Sequence, residues 1–364
     1  MKYKSLLESL DEIDPIKYGK TRNFTSGAVT RLSPYVARGV IDTKTILENI
    51  VNRGFSFSQA EKFIQQLAWR DYFQRVWQTR GDSINDDLKN PQGAKYATRL
   101  PLAISKGTTG IKSIDESIQF LQQSGYMHNH VRMYVAFMAC NLAGYHWRDP
   151  ARWMYYFLLD GDWGSNALSW QWVAGTFSNK KYIANQENIN HYTNSNQRST
   201  FLDYSYEELS RLDAPDHLLA PDFTELSTNL PTAGSINIDS SLPTFIYNYY
   251  NLSPTWRSGE KGNRVLLLEP EHFKQYPVSD VCIHFMMKMA DEIPEIQICV
   301  GNFSSLKILT GNSPLYFREH PLNRYYEGNQ DERSWMVDGE EEVQGSFFSF
   351  WKTYEKQIKH KYFR

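Results

Sequence analysis

The chain has few cysteines, no glycine-rich phosphate loop, no long apolar run and almost no net charge, and each shortage removes a class of protein. Its three cysteines, Cys140, Cys282 and Cys299, are far apart and form no CxxC pair. They give neither a disulfide framework nor a zinc or iron–sulfur site, so no metal is expected, and Cys140 reads as a small buried hydrophobe. Neither GxGxxG nor GxxxxGK[ST] occurs, so any nucleotide is held without those loops. No apolar run approaches the ~18 residues of a membrane span, and no basic leader precedes an apolar core. A cytoplasmic protein is the expectation. The net charge of −2 argues against a broadly basic nucleic-acid binder, yet residues 1–213 carry 25 Lys+Arg against 21 Asp+Glu, while residues 214–364 carry 14 against 20. A local basic surface on the first part permits DNA binding without requiring it.

Aromatic side chains are abundant, at 15% of the chain with 10 Trp and 23 Tyr. Most serve a core, but flat rings also stack on flat ligands and bases. Apolar recurrence at three and four residues predicts helices over 56–75, 113–123, 128–142 and 149–159, with Asp42 capping another that runs to Ile50. No convincing alternating strand falls in the first 200 residues, and residues 1–30 read as polar with scattered aromatics. The stretch 214–244, rich in Pro, Asp, Ser and Thr, reads as a linker or surface wrap. Beyond it, apolar runs at 264–268 and 296–300 flank a helix at 281–290, which is a β-α-β pattern with parallel strands. An acidic run at Glu340–Glu342 precedes a basic, helix-like 347–364. The expectation is a mainly α chain: a helical domain over 1–213, the 214–244 segment, and a smaller α/β or irregular region over 245–364.

Trp163, Trp170 and Trp172 lie within ten residues, behind Asp160 and Asp162. On a helix, Asn166 and Trp170 share a face, where an amide and an indole receive one edge of a flat heterocycle. Simple aromatic packing fits the same pattern. The string Gly125-Tyr-Met-His-Asn-His-Val-Arg-Met133, then Leu159-Asp-Gly-Asp162, Ser165-Asn166 and Trp170-Gln-Trp172, resembles the FAD-binding domain of DNA photolyases and cryptochromes. Thr30-Arg-Leu-Ser-Pro-Tyr35 with Arg38-Gly39, and Leu67-Ala-Trp-Arg70, resemble two further parts of that domain.

The resemblance implies FAD as cofactor, with Tyr18, Thr30, Arg31, Leu32 and Ser33 at the diphosphate. It implies that Asn129 and Arg132 share a helix face, that Arg132 pairs with Asp160 beside the ring, and that Asp162 contacts the ring or ribityl side. A plain surface ion pair is the other reading of Arg132 and Asp160. Asn166 corresponds to the residue facing the flavin N5, where a neutral amide bonds without offering a proton. Trp69 and Trp172 correspond to the walls of a site for a flipped lesion, and Arg70 supports that pocket or the cofactor. Trp170 and Trp147 correspond to the first two members of an electron path. Its third position falls on Ile104, so either Trp153, Tyr155 or Tyr156 substitutes or photoreduction is weak.

Two departures bear on the substrate. Gln66 stands where a carboxylate is usual, and an amide both donates and accepts. His130 replaces an arginine, as a proton donor or as ordinary lining. Cyclobutane and 6-4 lesions both remain open. Because the chain starts almost at Tyr18, the usual N-terminal antenna domain is expected to be missing, with the β-α-β segment as its rearranged remnant. The implied function is light-dependent repair of UV-damaged DNA by a monomer. The alternatives are a blue-light receptor signalling through a protein partner at the C-terminal region, and a non-repairing flavoprotein.

Overall fold

The computed structural model describes residues 2–232, 234–339 and 345–363, so the acidic run Glu340–Glu342 lies outside the described residues. Helix predominates, with one small parallel sheet. The chain forms two compact units. One comprises Met1–Gly19, Thr30–Thr79 and Ser227–Arg364, and the other Lys20–Val29 and Arg80–Leu226. These units do not follow the composition-based division at 213, because the first 79 residues pack largely with the sheet-bearing part.

In the second unit, Trp163–Ala174 is buried on nearly every side, with only Ser169 and Trp172 exposed. A helix apolar all round belongs inside a bundle, and this one packs against Asn129–Phe137 and Arg148–Phe157. Its ends are written in sequence. The Asp162 carboxylate accepts from Ser165 N at 2.9 Å, and Gly175 closes the helix in the left-handed conformation. The helix expected over 128–142 is α-helical over Asn129–Phe137 and continues as a π turn over Met138–Leu142. At Gly125, φ is 73° and a Cβ would meet Leu159 Cγ at 2.5 Å, so only glycine lets the chain pass there.

Among the described residues the first unit holds five parallel strands: β1 (Thr244–Tyr247), β2 (Asn263–Leu268), β3 (Ile296–Val300), β4 (Leu315–Arg318) and β5 (Asn329–Asp331), in the order β3-β2-β1-β4-β5. The expected β-α-β pattern is thus β2, the helix Asp280–Ala290 and β3, inside a larger doubly wound sheet. β1, β4 and β5 have only three or four residues each, too short for an alternation to show. Within the polar stretch 1–30 the chain forms the helices Tyr3–Leu10 and Pro15–Thr21; Leu6 and Leu10 form the buried stripe of the first.

Phe57–Arg80 extends five residues past the expected end. Its Asp71 is buried, accepts from Thr43 Oγ1 (2.8 Å) and Tyr354 Oη (2.7 Å), and fastens the C-terminal helix Phe347–Tyr362. The stretch 214–244 is hydrogen-bonded at several of its described residues. Leu100 O receives Asp222 N, and Thr228 and Asn237 bond to Val278 and Gln297. Among the described residues no helix is long and apolar enough to cross a membrane.

Candidate functional site

In the second unit the structure brings together the pair that the motif joined. Arg132 Nη2 lies 3.0 Å from both oxygens of Asp160, and Arg132 Nε donates to Met127 O at 2.9 Å. Both side chains are largely withdrawn from water, at 19% and 11% exposure, so this is not the plain surface pair of the other reading. Asn129 opens the helix that carries Arg132. Asp162 is buried and spends one oxygen on its own helix cap.

Asn166 and Trp170 sit one turn apart on the buried helix. The Asn166 amide nitrogen donates to Ala151 O at 2.8 Å. No donor to its amide oxygen is found among the described residues, so that oxygen stays available as an acceptor. Ser165 Oγ, next in sequence, is buried and unpartnered. A rigid ion pair and uncommitted polar atoms on packed helices suit a polar, flat ligand of the flavin kind.

His130 lies tilted against Tyr192 (4.4 Å between ring centroids) and edge-on to Tyr134 (5.0 Å). Burial first, then the nearby His128 and Arg22, lower its pKa to about 4. The ring is neutral near pH 7, which fits lining better than the imidazolium form of proton donation. Trp147 is fully buried and its indole N–H donates to Asp87 at 2.8 Å. It stacks on Trp163, at 6.5 Å and 30°, and Trp163 meets Tyr155 edge-on at 5.7 Å. Sequence reading counted Trp163 only as one of a cluster, and its place against Trp147 comes from the tertiary fold. Ile104 is buried. Asp87 and Gln171, which anchors residues 84–88 through Ile84 O and Leu88 N, were also missed. Isolated polar residues without periodicity carry no local signal. Trp172 is 38% exposed and lies 6.0 Å from Tyr182.

In the first unit, Tyr18 packs edge-on to Phe63 at 5.0 Å. Arg31 takes a left-handed φ of 55°, uncommon for a side-chain-bearing residue and a frequent mark of a functional turn. Leu32 N faces Thr30 Oγ1 at 3.4 Å, and Ser33 begins the helix Ser33–Ala37 with Pro34 in its first turn. Arg70 donates to Val36 O, and Gln66 is half-buried. Trp69 is stacked on Phe347, at 3.6 Å and 10° between rings. One face of the expected lesion wall is therefore covered by the chain itself.

Residues 63–238 match the FAD-binding domain of DNA photolyase. This supports a photolyase/cryptochrome-type FAD-binding domain, with FAD as its cofactor. The match contains every expected site residue except Tyr18, Thr30, Arg31, Leu32 and Ser33, whose assignment rests on their motif alone. A deoxyribodipyrimidine photo-lyase of Streptomyces griseus is 33% identical over 151 residues, covering 41% of this chain and 32% of that protein. A cryptochrome DASH of Synechocystis sp. is 31% identical over 167 residues, covering 43% and 34%. This chain thus spans about a third of the length of the curated relatives it matches. Among solved structures, a bacterial class III photolyase from Agrobacterium tumefaciens aligns at 27% identity and a TM-score of 0.43, over 48% of this chain and 37% of that one.

Proposed function

We propose that this chain repairs UV-induced pyrimidine lesions in DNA by light-dependent electron transfer from reduced FAD. The observation that carries the reading is the Arg132–Asp160 pair beside the Asn166 helix, within the stretch matched to a photolyase FAD-binding domain. When bound, reduced FAD supplies the light-activated electron. The protein's part is position and electrostatics. Arg132 and Asp160 hold one edge of the site rigid. Asn166 offers an acceptor oxygen and has no titratable proton to give up. Tyr18 and Thr30–Ser33 take the diphosphate through hydroxyl and backbone donors, and Arg70 braces the helix Ser33–Ala37 at Val36 O. Gln66 and Trp69 meet the extruded base, whose stacking returns about 1–3 kcal/mol of the unstacking cost.

The second reading is a blue-light receptor, and one observation favours it: Trp69 already has a stacking partner in Phe347. The deciding experiment incubates the FAD-loaded, reduced protein with two oligonucleotides, one holding a cyclobutane dimer and one a 6-4 product, in light and in darkness. Light-dependent restoration of either strand is expected, with the uncharged Gln66 making the 6-4 type at least as good a substrate. Restoration of neither, with FAD bound and reduced, overturns repair in favour of the receptor or a non-repairing flavoprotein.

A further inference from the structure

Phe347–Tyr362 buries Phe347, Phe350, Trp351, Tyr354 and Ile358, so its inner face is fully used. Its outer face is unusual. Phe348 is 69% exposed, and Lys352 and Lys356 follow it at four-residue steps, both exposed. Residues four apart stand about 5–6 Å from each other on one helix face, so the three form a continuous stripe. The neighbouring charges are already committed, Glu355 to Lys359 and Asp338 to Lys361. Among the described residues neither Lys352 nor Lys356 has an ion-pair partner. The setting makes this conspicuous, because residues 214–364 together carry six more acidic than basic side chains. The stripe begins beside the candidate base-stacking residue: the Phe348 ring lies 6.3 Å from Trp69, edge-on, and 5.5 Å from Phe347. The helix is not a loose flap, since Tyr354 is tied to buried Asp71.

We infer that the outer face of this C-terminal helix is a DNA-contacting surface, with Lys352 and Lys356 on backbone phosphates and Phe348 against a base beside the one that Trp69 meets. This inference rests on the DNA-directed reading above. An exposed ring continuous with a row of lysines is the pairing by which proteins follow a strand, rings taking bases and ammonium groups taking phosphates.

The test measures affinity of the full FAD-loaded chain for a labelled, undamaged duplex as salt is raised. In Lys352→Gln/Lys356→Gln the plot of log affinity against log salt should be shallower by about 2, since each phosphate that a lysine neutralises adds roughly 0.9 to the slope. FAD content should be unchanged, and Lys274→Gln, an exposed lysine on another helix of the same unit, should leave the slope as it is. Phe348→Ala should keep the slope and weaken binding to a lesion-bearing duplex severalfold. An unchanged slope in the double variant, or an equal change in Lys274→Gln, overturns the surface while leaving the repair reading standing. No duplex binding by the unsubstituted protein even at low salt overturns both.

Discussion

Arg132 and Asp160 meet through one guanidinium nitrogen bridging two carboxylate oxygens, with the second guanidinium donor fixed on Met127 O. Removing either partner strands the other's charge in a site mostly closed to water, whereas Trp172 is a partly exposed ring whose loss leaves no unpaired group. Stranding a charge is the larger loss. FAD retained after gel filtration should fall at least about tenfold in Arg132→Ala or Asp160→Ala, the equivalent of a broken charged bond, and clearly less in Trp172→Ala. Equal retention in all three would place the cofactor elsewhere. His130 is the other residue whose chemistry its surroundings decide. With a folded pKa of about 4, below the ordinary 6.5, it holds an extra proton only in acid. The repair rate between pH 6 and 8 should show no inflection from this ring. An inflection near 6.5 that vanishes in His130→Ala would mean that the imidazolium form acts.

Among elements, the buried helix Trp163–Ala174 and the loop at Asp87 work together through Trp147. Asp87 takes the Trp147 indole N–H and also receives Gln92 N at 2.8 Å, so it fixes where that ring lies. Trp163 then links Trp147 to Tyr155 by ring contact. Photoreduction of the bound cofactor with an external thiol should slow severalfold in Trp147→Phe. Asp87→Ala should slow it too, although it removes no ring, because the indole loses its anchor. If both variants reduce at the unsubstituted rate, Trp147 lies on no route used. If only Trp147→Phe slows, Asp87 has no positioning part.

At the scale of the whole molecule, acid should be the condition that unfolds the sheet-bearing unit. His272 and His320 lie where the strands β1, β2 and β4 end, with Tyr249, Tyr250 and Glu269 around them, and the Nε2 of each is buried without a partner among the described residues. Burial, reinforced for His272 by Arg38 and for His320 by Arg333 and other cations, holds both rings neutral, His272 with a pKa of about 4. The unfolded chain takes up those protons near 6.5, so it binds more protons than the folded one between 6.5 and 4. Stability is therefore intact above 6.5 and is lost as pH falls through that window. His272 alone accounts for about 1–2 kcal/mol at pH 5. Urea unfolding at pH 7.5 and 5.0 should show that loss, and His272→Asn should make it smaller. The same pH dependence in both proteins would show that the ring is not carrying the effect.

What the sequence determined by itself is local: caps, breaks and shared faces. Asp42 names its helix start and Gly125 its helix end, and four-residue spacing sets Asn166 beside Trp170, because each depends on a few neighbouring residues and on backbone geometry. The motif carried Arg132 to Asp160 across 28 residues, and in the structure the guanidinium bonds both carboxylate oxygens. The tertiary structure alone decided what depends on packing between distant segments. The three- and four-residue strands β1, β4 and β5 are too short to declare themselves, and parallel pairing joins residues that no local period links. Trp163 against Trp147, Asp87 on its indole and Asp71 on Tyr354 are contacts between single residues, written in no repeat. Above all, the Trp69 ring read as an open wall, and the fold lays Phe347 on it from 278 positions away in the chain, because burying two aromatic faces together removes more apolar surface from water than leaving either exposed.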